Sequence, residues 1–207
     1  VDNLSLSIKK GVSLGLVGES GSGKTTTAKM ICDIVKPDEG SILFKGDDIS
    51  SPSINYERYR KNIQMVFQDP YSSLNPKLTI LSAMRDGINR HFNMSGKELE
   101  EYAVSVMEQV GLTGEHLHRY PHEFSGGQKQ RISIARALSL KPEVIVADEP
   151  VSSLDVSVQA QILNLMKSLS EEESITFILI SHDLSVVSYL CEECAVLYKG
   201  KLVEYGR

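Results

Sequence analysis

Gly18-Glu19-Ser20-Gly21-Ser22-Gly23-Lys24-Thr25 gathers three glycines, a lysine and a threonine hydroxyl within eight residues. A glycine, four residues and then Gly-Lys-Thr is the spacing of a phosphate-binding loop. Glycine admits backbone conformations that a Cβ forbids, so successive N–H groups can converge on phosphate oxygens. Lys24 would then reach the β- and γ-phosphates, and the Thr25 hydroxyl would ligate Mg²⁺. Thr26 follows at the start of a helix whose positive end faces the same anion. A second pair of reactive groups, Asp148-Glu149, comes directly after the apolar run Val144-Ile145-Val146-Ala147. Carboxylates at the end of a buried strand need a cation or a proton nearby. In a nucleotide-hydrolysing site Asp148 would hold Mg²⁺, and Glu149 would orient or deprotonate the attacking water. The bland alternatives are a Gly-Ser turn beside a lysine and a solvated strand end.

The flanks favour the chemical reading. Val12–Val17 has the pattern of a buried strand, and Thr26–Val35 that of a helix with Ala28, Ile31 and Ile34 inward. Residues 1–8 alternate apolar and polar, with Leu4, Leu6 and Ile8 on one side, as an antiparallel strand would. A strand is expected over 41–45 with a turn at Gly46-Asp47-Asp48, then a short helix over 55–61 and a strand over 63–67. Residues 68–76 have loop chemistry throughout. Helical patterns then cover 80–92, 96–110 and 125–138, with Leu99, Ala103, Val106, Met107 and Val110 on one face of the second. Alternation of strand and helix returns with a strand at 143–148, a helix at 156–169, a strand at 175–180 and a helix at 183–190. Two short strands, 195–198 and 201–205, close the chain. The order predicts an α/β fold: a P-loop NTPase core with a mostly parallel sheet, an N-terminal antiparallel β portion and an inserted α-helical lobe at roughly 69–140. A single domain over 1–207 is expected, truncated at both ends, because Val1 enters mid-strand and Arg207 stops just after the last strand.

Composition narrows the function classes. The 207 residues are 41% hydrophobic and 24% charged, which provides for a sizeable core. A formal charge of −5 leaves no electrostatic footprint for nucleic acid. No apolar run approaches the roughly 20 residues that span a bilayer, and the first residues do not resemble a signal peptide. Membrane association is therefore expected to come through a partner. The cysteines are Cys32, Cys191 and Cys194, an odd number suited to a reducing compartment. Cys191-Glu192-Glu193-Cys194 lacks the second pair that a zinc site needs, and packing near a helix end is its expected role.

With these residues in place, the chain resembles the ATP-binding-cassette (ABC) ATPases over nearly its whole length. Gln68 falls at the Q-loop glutamine, which the resemblance makes a ligand of Mg²⁺ and of water. Ser125-Gly126-Gly127-Gln128 matches the signature sequence, with Phe124 before it where leucine is commoner. Ser152-Ser153-Leu154-Asp155 resembles the D-loop, and His182 stands at the switch-histidine position facing the γ-phosphate. The resemblance implies a head-to-tail homodimer or heterodimer of two ABC ATPases. Ser125 and Gly127 of one copy would face Lys24 of the other across ATP, with Asp155 nearby. The segments Val66–Pro76 and Asp148–Gln161 resemble the oligopeptide, dipeptide and nickel importer branch. That implies a peripheral subunit on the cytoplasmic face of the membrane. It would dock on an integral-membrane permease, through a groove near Gln68, and serve an extracytoplasmic solute-binding protein indirectly. The competing reading is a soluble ABC ATPase with no permease, acting in assembly, translation or repair. A nucleoside monophosphate kinase or GTPase is disfavoured, since neither uses Ser125 to Gln128.

Overall fold

The computed structural model describes residues 1–52 and 54–207, Tyr71 and Ser72 by their backbone alone. Four apolar runs form its central parallel strands: β1 (Leu14–Val17), β4 (Ile63–Val66), β5 (Val144–Asp148) and β6 (Thr176–Ile180). With β7 (Glu193–Tyr198) and β8 (Lys201–Gly206) they make one six-stranded sheet in the order β4-β5-β6-β1-β7-β8. All neighbours pair in parallel except β7 and β8, an antiparallel edge. Alternate residues of a strand point to opposite faces, so the sheet feeds two apolar clusters. Leu14, Leu16, Val146, Ile178 and Ile180 pack on the side that holds Ala28 and Tyr59. Val17, Ile145, Ala147, Phe177 and Leu179 pack on the other, against the long helices.

Helix α1 (Lys24–Ile31) follows β1, and α2 (Tyr56–Asn62) leads into β4 behind an Asn55 cap. After β4 come the short α3 (Pro70–Ser73), then α4 (Ile80–His91) and α5 (Gly96–Gln109). Thr79 caps α4 through the Ser82 N–H, and Ser95 forms a capping box with Glu98 at the start of α5. Leu99, Ala103, Val106, Met107 and Val110 are all buried, as their spacing predicts. Helix α6 (Gly126–Leu138) joins this lobe to the sheet: Arg131 donates to the Val110 carbonyl at 2.7 Å, and Tyr102 donates to the Ser139 carbonyl at 2.8 Å. The lobe and the sheet therefore share one apolar cluster, continuous from Ile88 through Ile132 to Phe177. Helices α7 (Val156–Glu172) and α8 (Leu184–Leu190) complete the chain.

Four local expectations are corrected. Residues 1–8 keep the alternation, with Leu4, Leu6 and Ile8 half-buried between exposed neighbours, yet no strand forms there. Period two reports which side is buried and says nothing of a ladder partner, and both edges of β1 are already taken by β6 and β7. Asp47–Asp48 is a strand (β3) paired with β2 (Leu43–Phe44), and the turn between them is Lys45-Gly46. Both turn residues have positive φ, 55° and 90°, as a tight two-residue hairpin turn demands. A short helix, α3, interrupts the expected loop at 68–76. Finally, α1 stops at Ile31 and Asp33 turns the chain at φ 56°, so Ile34 is 52% exposed and does not face the core.

Candidate functional site

Register decides where the reactive groups meet. Leu16 lies opposite Ile180, Ile180 opposite Asp148, and Val66 opposite Ala147. Four parallel strands thus end at one level, and the residues that follow them leave from the same edge. Gly18 follows β1, Gln68 follows β4, Glu149 follows β5 and His182 follows β6. Open α/β sheets place ligands at this carboxyl edge.

The loop from Gly18 to Thr25 wraps the start of α1. Gly18 has φ 151°, and a Cβ there would come within 2.1 Å of the Leu197 carbonyl oxygen, so only glycine fits. The Lys24 ammonium is buried and donates to the Gly18 and Glu19 carbonyls at 2.7 and 2.9 Å, which ties the loop into a ring. Glu19, Ser20, Gly21, Thr25 and Thr26 are exposed, and Gly23 sits at the helix N-cap with φ 101°. The Ser22 hydroxyl is buried within the loop and has no hydrogen-bond partner among the described residues. Such a group is explained by a ligand oxygen or a water at the site.

Thr25 donates its hydroxyl hydrogen bond to Asp148 Oδ1 at 3.2 Å. Asp148 is 5% exposed, and burial pushes its pKa above the usual carboxylate value. The Thr25 hydrogen bond acts the other way, while the Glu149 charge adds to the rise. Glu149 is held at both carboxylate oxygens: Gln68 Nε2 donates to Oε2 at 3.1 Å, and His182 Nδ1 is 3.3 Å from Oε1. Its backbone has φ 44°, a left-handed conformation uncommon for a residue with a Cβ and met where surrounding structure enforces it. Here the Glu149 N–H bonds the Ile180 carbonyl at 3.0 Å, and the Glu149 carbonyl accepts from the Ser152 hydroxyl at 3.1 Å.

Asp148, the Thr25 hydroxyl and the Gln68 amide form an all-oxygen donor set that fits Mg²⁺. Among the described residues there is no cluster of three His, Cys, Asp or Glu that could hold a metal ion.

The Ser125–Gln128 segment lies outside this cluster. Ser125 caps α6 in a reciprocal box: its hydroxyl accepts from the Gln128 N–H at 3.3 Å, and its N–H donates to Gln128 Oε1 at 3.0 Å. Gly126 and Gly127 have a packing reason of their own, since a Cβ on Gly127 would meet Val158 of α7 at 2.5 Å. Asp155 is exposed at the N-cap of α7, and its side chain makes no capping bond. Neither segment hydrogen-bonds to the Gly18–Thr25 loop among the described residues. Cys191 and Cys194 are free thiols; burial pushes Cys191 up to about 12, the mark of an inert packing cysteine.

A groove of about 550 Å³ opens beside Phe67, one residue before Gln68. Met65, Met84 and Leu140 line it, with Ile34 at its rim and Arg60 and Arg136 among its walls. Sequence reasoning did not single out Arg136. The available signal was an arginine set within Ile132-Ser133-Ile134-Ala135 and Ala137-Leu138, an otherwise buried run.

The sequence pattern of the ABC transporter family matches residues 1–152. The chain belongs to that family. It is 53% identical over 206 residues to the oligopeptide transport ATP-binding protein AppF of Bacillus subtilis (strain 168), covering 99% of this chain and 63% of AppF. It is 48% identical over 207 residues to OppF of the same organism, an oligopeptide transport ATP-binding protein too, of which it covers 68%. The chain thus spans about two thirds of the length of these ABC relatives. Among solved structures, the dimeric post-hydrolysis state of the ATP-binding cassette MJ0796, bound to ADP and Pi, matches with a TM-score of 0.85 and 31% identity. That likeness covers 98% of this chain and 88% of MJ0796. CbiO1 of Clostridium perfringens, part of the ABC transporter complex cbiONQ, matches equally well at 29% identity, over 98% of this chain and 80% of CbiO1.

Proposed function

We propose that this ABC cassette binds ATP with Mg²⁺ and hydrolyses it to drive oligopeptide import through a membrane permease. The Gly18–Thr25 loop and the N-terminus of α1 cradle the phosphates, and Lys24 turns from its own loop carbonyls to the β- and γ-oxygens. Thr25, Asp148 and Gln68 hold the cation. Glu149 takes a proton from the attacking water while His182 and Gln68 position it against the γ-phosphate. The observation that carries this reading is the Glu149 carboxylate, held between Gln68 and His182 beside the Asp148–Thr25 pair. A neighbour of the same fold bound to ADP and Pi supports hydrolysis, and the names of AppF and OppF support oligopeptide transport over a soluble role. No helix among the described residues is long and apolar enough to cross a membrane. We place the cassette on the cytoplasmic face, in a head-to-tail pair, with the permease seated in the groove beside Phe67 and a solute-binding protein serving the permease from outside.

The test uses the full-length protein with Glu149→Gln, purified from its own cells in mild detergent with ATP. Turnover falls by about 10²–10⁴-fold while ATP binding persists. Mass spectrometry of what copurifies finds a multi-span membrane protein. Wild-type hydrolysis by the variant would remove Glu149 as the base. Soluble partners alone would favour an assembly or translation role and leave the ATPase reading standing.

A further inference from the structure

The hairpin of β7 and β8 lies against the Gly18–Thr25 loop. Val17 pairs with Val196, so where β1 gives way to the loop, β7 runs on beside it and then turns back into β8. The turn is Lys199-Gly200, with φ 48° and 84°, the left-handed pair that a two-residue hairpin demands. Two of its backbone groups meet the loop. The Leu197 carbonyl closes the space beside Gly18, and the Gly200 N–H donates to the Ser22 carbonyl at 3.0 Å. The turn is itself fastened from behind: the Asp2 N–H donates to the Gly200 carbonyl at 2.7 Å, and the Asp2 carboxylate lies 3.2 Å from the Lys201 ammonium.

In a planar trans peptide the carbonyl and the N–H point in opposite directions. The Ser22 carbonyl and the Gly23 N–H belong to one such peptide, so holding the carbonyl toward the hairpin aims the N–H away from it. The Gly23 N–H has no hydrogen-bond partner among the described residues. Lys24 does not set this direction, because its ammonium holds the Gly18 and Glu19 carbonyls at the other end of the loop. Unfastened, the peptide would flip at little cost, since glycine follows it and admits either sign of φ. A flipped peptide would offer an anion a carbonyl oxygen in place of a donor. We propose that Gly200 is a positioning residue for nucleotide binding: its N–H fixes the Ser22–Gly23 peptide so that the Gly23 N–H meets a phosphate oxygen. The inference rests on the reading of Gly18–Thr25 as the ATP site, and it adds to that site a residue far along the chain.

The experiment replaces Gly200 with glycolic acid by cell-free translation of the full-length protein, which exchanges one N–H for an ester oxygen and keeps the freedom of the turn. ATP affinity is expected to fall about tenfold, the worth of one hydrogen bond to a charged group. Because Glu149, Gln68 and His182 are untouched, kcat at saturating ATP should stay within about threefold. A Cβ at Gly200 would meet Asp2 N at 3.4 Å, an ordinary contact, so Gly200→Asn fits and tolerates positive φ while retaining the N–H. It should keep the affinity that Gly200→Val, whose branched side chain resists positive φ, loses. In protein labelled with ¹⁵N-glycine, the Gly23 amide signal should move downfield when ADP binds to the parent and to the Asn variant, and stay in place in the ester. An ester variant that binds ATP as the parent does overturns the positioning role. So does a Gly23 signal that ADP leaves unmoved in the parent, or an Asn variant as weak as the ester. A parent that binds no ATP overturns the nucleotide reading and this inference with it.

Discussion

Asp148 and Glu149 are neighbours with opposite surroundings, and that difference has a measurable pH signature. Glu149 has two polar partners at the sheet edge, whereas Asp148 is buried and has its pKa raised above 3.8. Between 3.8 and the raised value the folded state binds more protons at Asp148 than the unfolded chain does. Stability of the nucleotide-free protein therefore falls as pH rises through that window. Asp148→Asn should flatten this component of the profile and raise the melting temperature at neutral pH, while weakening binding of Mg²⁺-nucleotide. Thermal unfolding across pH, with and without Mg²⁺-ATP, checks both; an unchanged profile would mean that Asp148 is solvated. Lys24 gives a second contrast. Its ammonium satisfies two loop carbonyls in the free protein, so Lys24→Ala costs some loop order as well as the phosphate contact. Charged hydrogen bonds of this kind are worth about 1.5–3 kcal/mol. ATP affinity should therefore drop roughly 10- to 100-fold in a titration, with the circular dichroism unchanged.

The helix that begins at Ser125 shows how one element serves packing and chemistry together. Gly127 lets α6 lie against Val158 of α7, and a methyl there meets a stiff β-branched side chain at 2.5 Å. Gly127→Ala should cost about 1–3 kcal/mol in urea unfolding, because overpacking outweighs the helix propensity gained. Adding Val158→Ala should return most of it; no recovery would place the clash elsewhere. Elements of this kind were legible where their cause is local. The apolar face of α5 declares itself within a turn or two of sequence. So do the runs that become β1, β5 and β6, whose far ends then carry Gly18, Glu149 and His182 to one edge. What depends on distant partners was not legible. Residues 1–8 have the rhythm of a strand beside a β1 whose two edges are already paired, and Ile34 continues a helical rhythm after Asp33 has already turned the chain.

At the scale of the whole molecule, the chain presents two exposed glycine-bearing helix starts, those of α1 and α6, that do not meet. The start of α1 closes the Gly18–Thr25 loop, and the start of α6 exposes Ser125 with its hydroxyl engaged in its own cap. No hydrogen bond joins them among the described residues, and under the proposed head-to-tail reading a single copy would offer ATP only half a site. A two-fold pair placed head to tail solves this with one self-complementary surface, since each Ser125 then covers the other copy's loop. The structures of MJ0796, similar to this chain over 98% of its length, are dimeric. Binding would then drive closure and hydrolysis release it, which turns a local electrostatic event into movement of two subunits. Ser125→Arg tests the arrangement, because a long cation at an exposed position should block the approach of the second copy without touching the loop of its own. In a Glu149→Gln background with ATP, light scattering should find a dimer for the parent and a monomer for the Ser125→Arg variant. Nucleotide affinity of the monomer should stay within about threefold, and stability should fall by about 1 kcal/mol, the ordinary cost of a lost cap. A dimer that still forms would mean that the two helix starts are not opposed across the nucleotide, and the ATP site would have to be complete within one chain.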